Sequence, residues 1–406
     1  MKIIYISSMC NPNNVDKINS NTIKKMEISG VKFHNLLIKG FEENNVQVTS
    51  IIGLPISRKI SSKFFWRKCI EDENKITYHQ VGFINIPFLK QITTAFNIMN
   101  AYLKYGKQAE TYVIIDASYV SVIPFVLLAN KFLKNVIVGI VADIYEYMCD
   151  VQETSGRNSR LSRIIRRKNK YSKLDGFILL TEQMNEAINL EKKPYIVIEG
   201  CSDYRMKEKD NYKENNEKKI ILYSGKLSEK FGIKLLIEGF KKIQRKDVEL
   251  WIYGDGDEKE YVEEECKNTY NIKYKGMVSN EEVVKAQMQS TILINPRPTK
   301  EQFTKYSFPS KNIEYMASGT PMLTTKLPGM PKEYENYVYL IKDESEQGIC
   351  EAIEFVLKLP KNERIAKGKK AKEFIIKNKN EKMQSMKIIN FLKGIKRNDK
   401  KDNREK

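Results

Sequence analysis

The chain is 406 residues long, 41% apolar, 10% aromatic and 30% charged. At roughly 150 residues per domain this length suggests two domains, and so much apolar material excludes a globally disordered chain. Lys and Arg number 70 against 51 Asp and Glu, a net +19, which points to an anionic partner (nucleic acid, nucleotide or membrane surface) and says nothing of fold. Residues 361–406 hold 17 basic and 6 acidic residues and so carry +11 of that excess. Charge alone is therefore a weak argument for nucleic-acid binding.

Six cysteines (Cys10, Cys69, Cys149, Cys201, Cys266, Cys350) are scattered singly, and His34 and His79 are the two histidines. No metal-ligand spacing results, so no zinc site is expected, and the pattern fits reduced thiols in a cytosolic protein. The start MKIIYIS lacks the features of a secretion signal. The most apolar window, 117–142, is broken by Lys131 and Lys134. It falls short of the roughly 20 residues a spanning helix needs, so any membrane contact is expected to be peripheral.

Short β-branched runs at 2–6, 47–52, 112–115, 135–141, 176–180 and 195–198 read as strands. Helical periods such as 31–42, with Val31, Phe33, Leu36, Leu37 and Phe41 on one side, lie between them. Repeated β-α-β units imply an α/β doubly wound parallel sheet. Near Asp203 the texture turns polar and charged, as in a linker. The pattern restarts with strands at 220–223, 249–253, 272–275, 291–294, 321–325 and 338–341, and helices at 233–243 and 258–269. A Lys-rich helical stretch at 361–393 and a basic tail from 394 follow. Two Rossmann-like domains facing each other make a cleft at the C-terminal ends of their strands, where such folds bind nucleotides.

Three clusters in the second half carry chemistry. In YSGKLSEKFG, Gly225 ends a strand and lets a ligand approach the backbone, while Lys226 and Lys230 reach for a phosphate. The same segment reads as a turn with solvated lysines. In LWIYGDGDEKEY, Gly254 follows a strand, but the full G-x-G-x-x-G fingerprint fails at Glu258 and Lys259. That argues against a dinucleotide dehydrogenase. In NPRPTKEQFTKYSFPSKNIEYMASGTPMLTT, Pro309 pre-sets a helix start whose free N–H groups suit an anion. Ser310 and Lys311 add a hydroxyl and a cation there, Glu314 one turn on suits a ribose diol, and Arg297 sits at a strand end. An ordinary helix with a first-turn Glu is the plainer reading of this segment.

As an ordered set, YSGKL, the downstream Gly232, the LWIYGDG turn, YKGMVSNEEV and FPSKNIEYMASGTPMLTT resemble the retaining family 4 glycosyltransferases of the GT-B fold. The resemblance covers most of 217–345. It implies two facing Rossmann-like domains with parallel sheets and an inter-domain cleft: an acceptor-binding domain at 1–203, a linker at 204–216 and a nucleotide-sugar-binding domain at 217–375. A helix at 376–393 would pack back on the first domain, and 394–406 would be a disordered basic tail. It further implies transfer of a sugar from a UDP- or GDP-linked donor, with retention, no cofactor and no metal, to a sugar or polyprenyl-linked acceptor in surface-polysaccharide synthesis. Lys226 would bind the diphosphate, and Glu314 would be the second glutamate of the family's pair. Two positions depart from the pattern: Phe231 stands where a second basic residue is usual, and Tyr306 where the first glutamate is. Asp143, after a strand of the first domain, would orient the acceptor hydroxyl or, on the plainer reading, cap a helix.

Two basic segments suit an anionic membrane. One is 57–68, with Lys63, Phe64, Phe65, Trp66 and Arg67; the other is 157–173, with Arg163, Arg166 and Arg167. Each reads equally as a solvated face. Together, and with what the resemblance implies, they favour a cytoplasmic protein bound to the inner face of the plasma membrane. No nucleic-acid partner is expected, because no RNA-binding motif accompanies the charge. The rival readings are a non-catalytic GT-B-like subunit, to which Phe231 and Tyr306 point, and another sugar-nucleotide enzyme such as an epimerase.

Overall fold

The computed structural model describes residues 1–23, 28–144, 171–207 and 217–395. The chain divides into two compact units: Met1–Cys201 with Glu381–Lys406, and Ser202–Asn380.

The first unit runs β1 (Lys2–Ser7), α1 (Val15–Asn19), α2 (Ile28–Glu43), β2 (Gln47–Ile52), β3 (Phe65–Trp66), β4 (Cys69–Glu73), β5 (Ile76–Gln80), β6 (Phe83–Ile84) and α3 (Leu89–Tyr105). It continues with β7 (Thr111–Asp116), α4 (Ile123–Leu133), β8 (Val136–Val141), β9 (Gly176–Leu179), α5 (Glu182–Ile188) and β10 (Tyr195–Val197). Eight strands form one sheet in the order β10-β9-β8-β7-β1-β2-β5-β4, so the winding reverses at β1. Every residue of β1 and β8 is buried, as expected of strands covered on both faces. The sheet is parallel, as expected, except at one edge: β5 lies parallel to β2, but β4 folds back antiparallel on β5. The turn between them places Asn74 at φ 52°, a left-handed position that asparagine tolerates. At the sheet edge β4 alternates between half-buried and exposed positions, and its sequence CIEDE lacks the continuous apolar run of its neighbours.

The second unit holds β11 (Lys219–Ser224), α6 (Ile233–Lys241), β12 (Val248–Tyr253), α7 (Lys259–Asn268), β13 (Ile272–Gly276) and α8 (Asn280–Gln289). It ends with β14 (Ile292–Asn295), α9 (Ser310–Ser318), β15 (Met322–Thr325), β16 (Tyr339–Ile341), α10 (Glu346–Lys358) and α11 (Lys361–Asn378). Its six strands are all parallel, in the order β13-β12-β11-β14-β15-β16. Successive strands step outward from β11 on one side and from β14 on the other, so the winding reverses between these two. One face of the sheet is covered by a core that includes Leu236, Phe240, Ile349 and Ile353, and the other by one that includes Ile313, Met316, Ala371 and Ile375.

The Lys-rich stretch 361–393 forms two helices, divided at 379–380 rather than at the expected 375–376. α11 stops at Asn378, and the Lys379 ammonium is buried against Glu333, Nζ to Oε1 2.7 Å. The Ser202 N–H donates to the Lys379 carbonyl at 2.9 Å, so the second unit closes on itself at the point where the chain leaves it. The second unit thereby takes in Tyr204–Lys207, read from sequence as linker, and extends five residues beyond the expected 375. The final helix, α12 (Glu381–Gly394), belongs to the first unit and lies on α2. Ser385 Oγ donates to the Leu37 carbonyl at 2.9 Å, and Ile388, Ile389 and Leu392 join the core of Leu37, Ile38 and Phe41. Met383 and Met386 of the same helix are exposed.

Candidate active site

In a doubly wound sheet a ligand finds room beyond the carboxyl ends of the two strands where the winding reverses, because their loops diverge there. In the second unit those ends are Ser224 of β11 and Asn295 of β14. Gly225 and Lys226 follow the first; Pro296 and Arg297 follow the second.

The end of β11 is gripped by α9. The Ser224 N–H donates to Tyr315 Oη at 2.8 Å, and Tyr315 Oη lies 3.1 Å from Ser224 Oγ. Lys311 Nζ donates to the Ser224 carbonyl. Lys311 and Tyr315 are four residues apart and so share one face of the helix. Tyr223 Oη donates to the Lys226 carbonyl at 2.8 Å, closing the turn that carries Gly225 and Lys226. The Lys311 ammonium sits 5.7 Å from the centre of the Tyr223 ring. Burial pulls the Lys311 pKa down to about 8; the like charge of Arg297 acts in the same sense and Glu314 opposes it. Burial also pushes the Tyr315 hydroxyl up to about 12 and raises Tyr223 further. Both phenols therefore stay neutral hydrogen-bonding groups near pH 7.

The GDG turn braces this loop. Gly254 has φ 131°, and a side chain there would strike the Gly225 carbonyl. The Gly225 N–H donates to Tyr253 O at 2.8 Å, and the Leu227 N–H to Asp255 O at 2.9 Å. The two loops meet backbone to backbone, which explains the glycine without a ligand.

Arg297 is held by aromatic rings. Its guanidinium carbon lies 4.6 Å from the Phe231 ring centre and 5.5 Å from that of Phe303, and the two rings meet edge to face. Arg297 Nη1 reaches Ser307 Oγ at 3.4 Å, and its carbonyl accepts from Thr325 Oγ1 at 2.6 Å. Gly232, at φ 84°, brings its backbone against the Pro296 carbonyl, where any side chain would collide. That close approach sets the neighbouring Phe231 under Arg297. Asn295 Nδ2 donates to Asn312 Oδ1 at 2.6 Å, tying the end of β14 to the first turn of α9.

Pro309 caps α9 with φ −66° and ψ 117°, one position earlier than the first helical turn read from sequence, and no side chain closes the cap. Ser310 at that end is exposed, whereas Lys226, Tyr306 and Glu314 are half-buried. Tyr306 ends the short turn Gln302–Lys305. Gly225, Lys226, Gly254, Arg297, Pro309, Ser310, Lys311 and Glu314 thus gather around the ends of β11 and β14. Lys230 is exposed farther along the first loop. Asp143 is exposed in the other unit, two residues past β8. Sequence reasoning missed Tyr315, Tyr223 and Phe303; the four-residue spacing of Lys311 and Tyr315 was the signal available for the first of them.

The segment 57–68 needs one correction. Trp66 is not a surface residue: it is 7% exposed and its ring stacks on Phe83 with centres 6.0 Å apart. Phe64 and Phe65 are exposed, as are Lys63 and Arg67. β3 places successive side chains on opposite sides, so Phe65 faces out where Trp66 faces in. Arg163, Arg166 and Arg167 lie outside the described residues. Among the described residues no three His, Cys, Asp or Glu side chains are grouped to hold a metal, and no helix is long and apolar enough to cross a membrane.

Residues 205–380 match the family model described as glycosyl transferases group 1, a match confined to the second unit. An uncharacterized glycosyltransferase of Methanocaldococcus jannaschii is 26% identical over 154 residues, 34% of this chain and 38% of that protein. The matched stretch thus spans well under half of that relative. Similarity to solved structures extends over 97% of the chain. Sucrose-phosphate synthase from Thermosynechococcus elongatus is 13% identical at a TM-score of 0.66, with 98% of its chain covered. Anabaena HepE in complex with UDP is 14% identical at 0.64, with all of its chain covered. A UDP-forming trehalose-phosphate synthase from Burkholderia xenovorans is 11% identical at 0.66, with 99% covered. The fold is that of the GT-B glycosyltransferases.

Proposed function

We propose that the chain is a retaining glycosyltransferase of the family 4 type, moving a sugar from a nucleoside-diphosphate sugar to a sugar or lipid-linked sugar in cell-surface polysaccharide synthesis. The observation that carries the reading is the pairing of Lys311 and Arg297 beyond the ends of β11 and β14, beside the uncapped start of α9. A half-buried cation, bonded to the Ser224 carbonyl and with a second cation acting on it, would be stabilised further by a diphosphate. When the bond from the anomeric carbon to the diphosphate breaks, its electron pair goes to phosphate oxygen. Lys311, Arg297, Lys226 and the N–H groups of α9, joined by Lys230 from farther along the first loop, would stabilise that charge. Glu314 accepts from the ribose diol, Tyr306 and Gly254 border the donor, and Asp143 orients the acceptor hydroxyl. The protein need supply no nucleophile, and no metal is required.

Arg297 on its Phe231 shelf supplies a cation near the position where the family's second basic residue is replaced, which favours an active enzyme over a non-catalytic subunit. UDP is the first donor base to try, since HepE is described in complex with UDP and with UDP-glucose. A lipid-linked acceptor would put the enzyme on the cytoplasmic face of the plasma membrane.

The test is thermal unfolding of wild type and Glu314→Ala with UDP, GDP, ADP, CMP, NAD and a short RNA. A ligand at 100 times its Kd stabilises by roughly 2.7 kcal/mol. A shift with one nucleoside diphosphate, reduced in the variant, is the expected result. No shift with any nucleotide favours the non-catalytic subunit, and a shift with NAD or RNA alone ends the transferase reading.

A further inference from the structure

The exposed apolar surface of the first unit is wider than the 57–68 segment and rests partly on other residues. Phe65 of β3 lies opposite Ile84 of β6, and the Asn85 N–H donates to the Phe64 carbonyl at 2.7 Å. This pairing sets Phe64 and Phe65 beside the entry to α3, only a few residues further along the chain. There Phe88 is 83% exposed with φ 66°, a left-handed conformation that is strained for an aromatic residue. Leu89, Ile92 and Phe96 follow at helical spacing and are exposed, the last two at 56% and 50%. The opposite side of α3 is already satisfied by the core, through Ala95, Ile98, Ala101 and Tyr102. This helix is therefore apolar on a side that needs no burial for folding.

The charges nearby are of one sign. Segments 57–68 and 83–98 contain Arg58, Lys59, Lys63, Arg67, Lys68 and Lys90 and no Asp or Glu. The Arg58 guanidinium carbon sits 3.9 Å from the centre of the Phe64 ring, so cation and aromatic ring are one unit. A second copy of the chain docked here through a two-fold interface would oppose the same cations to each other. A protein interface core is depleted in lysine, and a nucleic acid has no use for the aliphatic face. An interfacial bilayer segment has this make-up: aromatic and aliphatic side chains for the headgroup boundary, and basic residues for its charge.

We propose that the outer face of α3, with Phe64, Phe65 and Phe88, is a docking surface for an anionic lipid bilayer. It deepens the membrane part of the reading above and uses no residue of the nucleotide site.

The experiment is flotation of the full chain with phosphatidylcholine vesicles, with and without phosphatidylglycerol, at low and high salt. Wild type is expected to float with the anionic vesicles, less so at high salt. Ile92→Gln with Phe96→Gln keeps good helix formers on an exposed face and is expected to lower the partition about tenfold or more. Lys63→Glu with Lys90→Glu is expected to lower it for anionic vesicles and leave neutral ones unchanged. Each variant is checked by circular dichroism and by its nucleotide-induced melting shift. Wild type that stays with the buffer, or binding unchanged in both variants, overturns the proposal. So does a wild-type dimer that the Ile92/Phe96 variant dissociates, since a second copy then occupies the face. Loss of vesicle binding with an intact nucleotide shift removes this surface and leaves the transferase reading standing; the reverse result removes the latter and keeps the former.

Discussion

In the second unit, polar and charged groups at the strand ends are turned inward and bonded: Ser224 to Tyr315 and Lys311, Asn295 to Asn312, Arg297 laid on Phe231. In the first unit the unusual groups point outward, as Phe65, Phe88, Ile92 and Phe96 stand in solvent. A half-hidden cation and an exposed aromatic side chain are both unfavourable in the isolated chain. On the readings proposed above, each marks a place where something outside the chain would complete the structure, a small anion in one unit and an apolar, anionic surface in the other. The difference in scale follows from the elements used. Converging loops enclose a few atoms, whereas a helix face presents a broad strip.

The largest effect expected from breaking this contrast is at Trp66. Trp66→Ala is expected to cost about 3–5 kcal/mol in urea unfolding, as core aromatic truncations do, while Phe65→Ala changes stability by less than about 0.5 kcal/mol. Equal losses at both would mean that the 57–68 segment is not divided between core and surface. Next is Lys311→Met, in which the roughly 2.7 kcal/mol of stabilisation from a nucleoside diphosphate at 100 times Kd is expected to vanish. Titration calorimetry that finds unchanged affinity would remove Lys311 from the donor site.

The pH dependence sharpens the same point. Lys311 has a pKa of about 8 in the folded chain against an ordinary 10.5, so between those values the unfolded chain holds the extra proton. From this group alone, the stability of the free protein rises with pH across that window. Nucleotide affinity moves the other way: above pH 8 it is expected to fall about tenfold per unit, because the diphosphate needs the charged lysine. Affinity that stays flat to pH 9.5 would show that the ammonium is not the partner. The smallest effect is at the aromatic shelf. Phe231→Leu is expected to weaken diphosphate binding by roughly 0.5–2 kcal/mol, and to add nothing in an Arg297→Met background, since it acts through the arginine. Additive losses would make Phe231 an independent contact.

Much of the fold was legible because parallel strands buried on both faces leave continuous β-branched runs, as in β1, β8 and β11, and those runs were found nearly residue for residue. The strands β4 and β5 and the small β3–β6 ribbon were not found. β4, CIEDE, ends in three acidic residues and β5, ITYHQ, is largely polar, while the ribbon has two residues per strand, too short for a period to register. Lys226, Arg297, Lys311 and Glu314 were legible as polar residues placed at strand ends and a helix start. That Tyr315 grips Ser224 was not, because a tyrosine in an apolar helix reads as core.

By itself the sequence determined two α/β units, the order along the chain of most of their strands, the ordered glycosyltransferase-like motifs and the basic excess. All of these follow from local periodicity and short-range spacing, which a chain carries whether folded or not. Tertiary structure alone decided which strands are neighbours, that α12 returns to the first unit, that Arg297 meets Phe231, and that Trp66 is inside while α3 shows an apolar face. These depend on residues far apart in sequence being brought within a few ångströms, and no local pattern encodes which pairs meet.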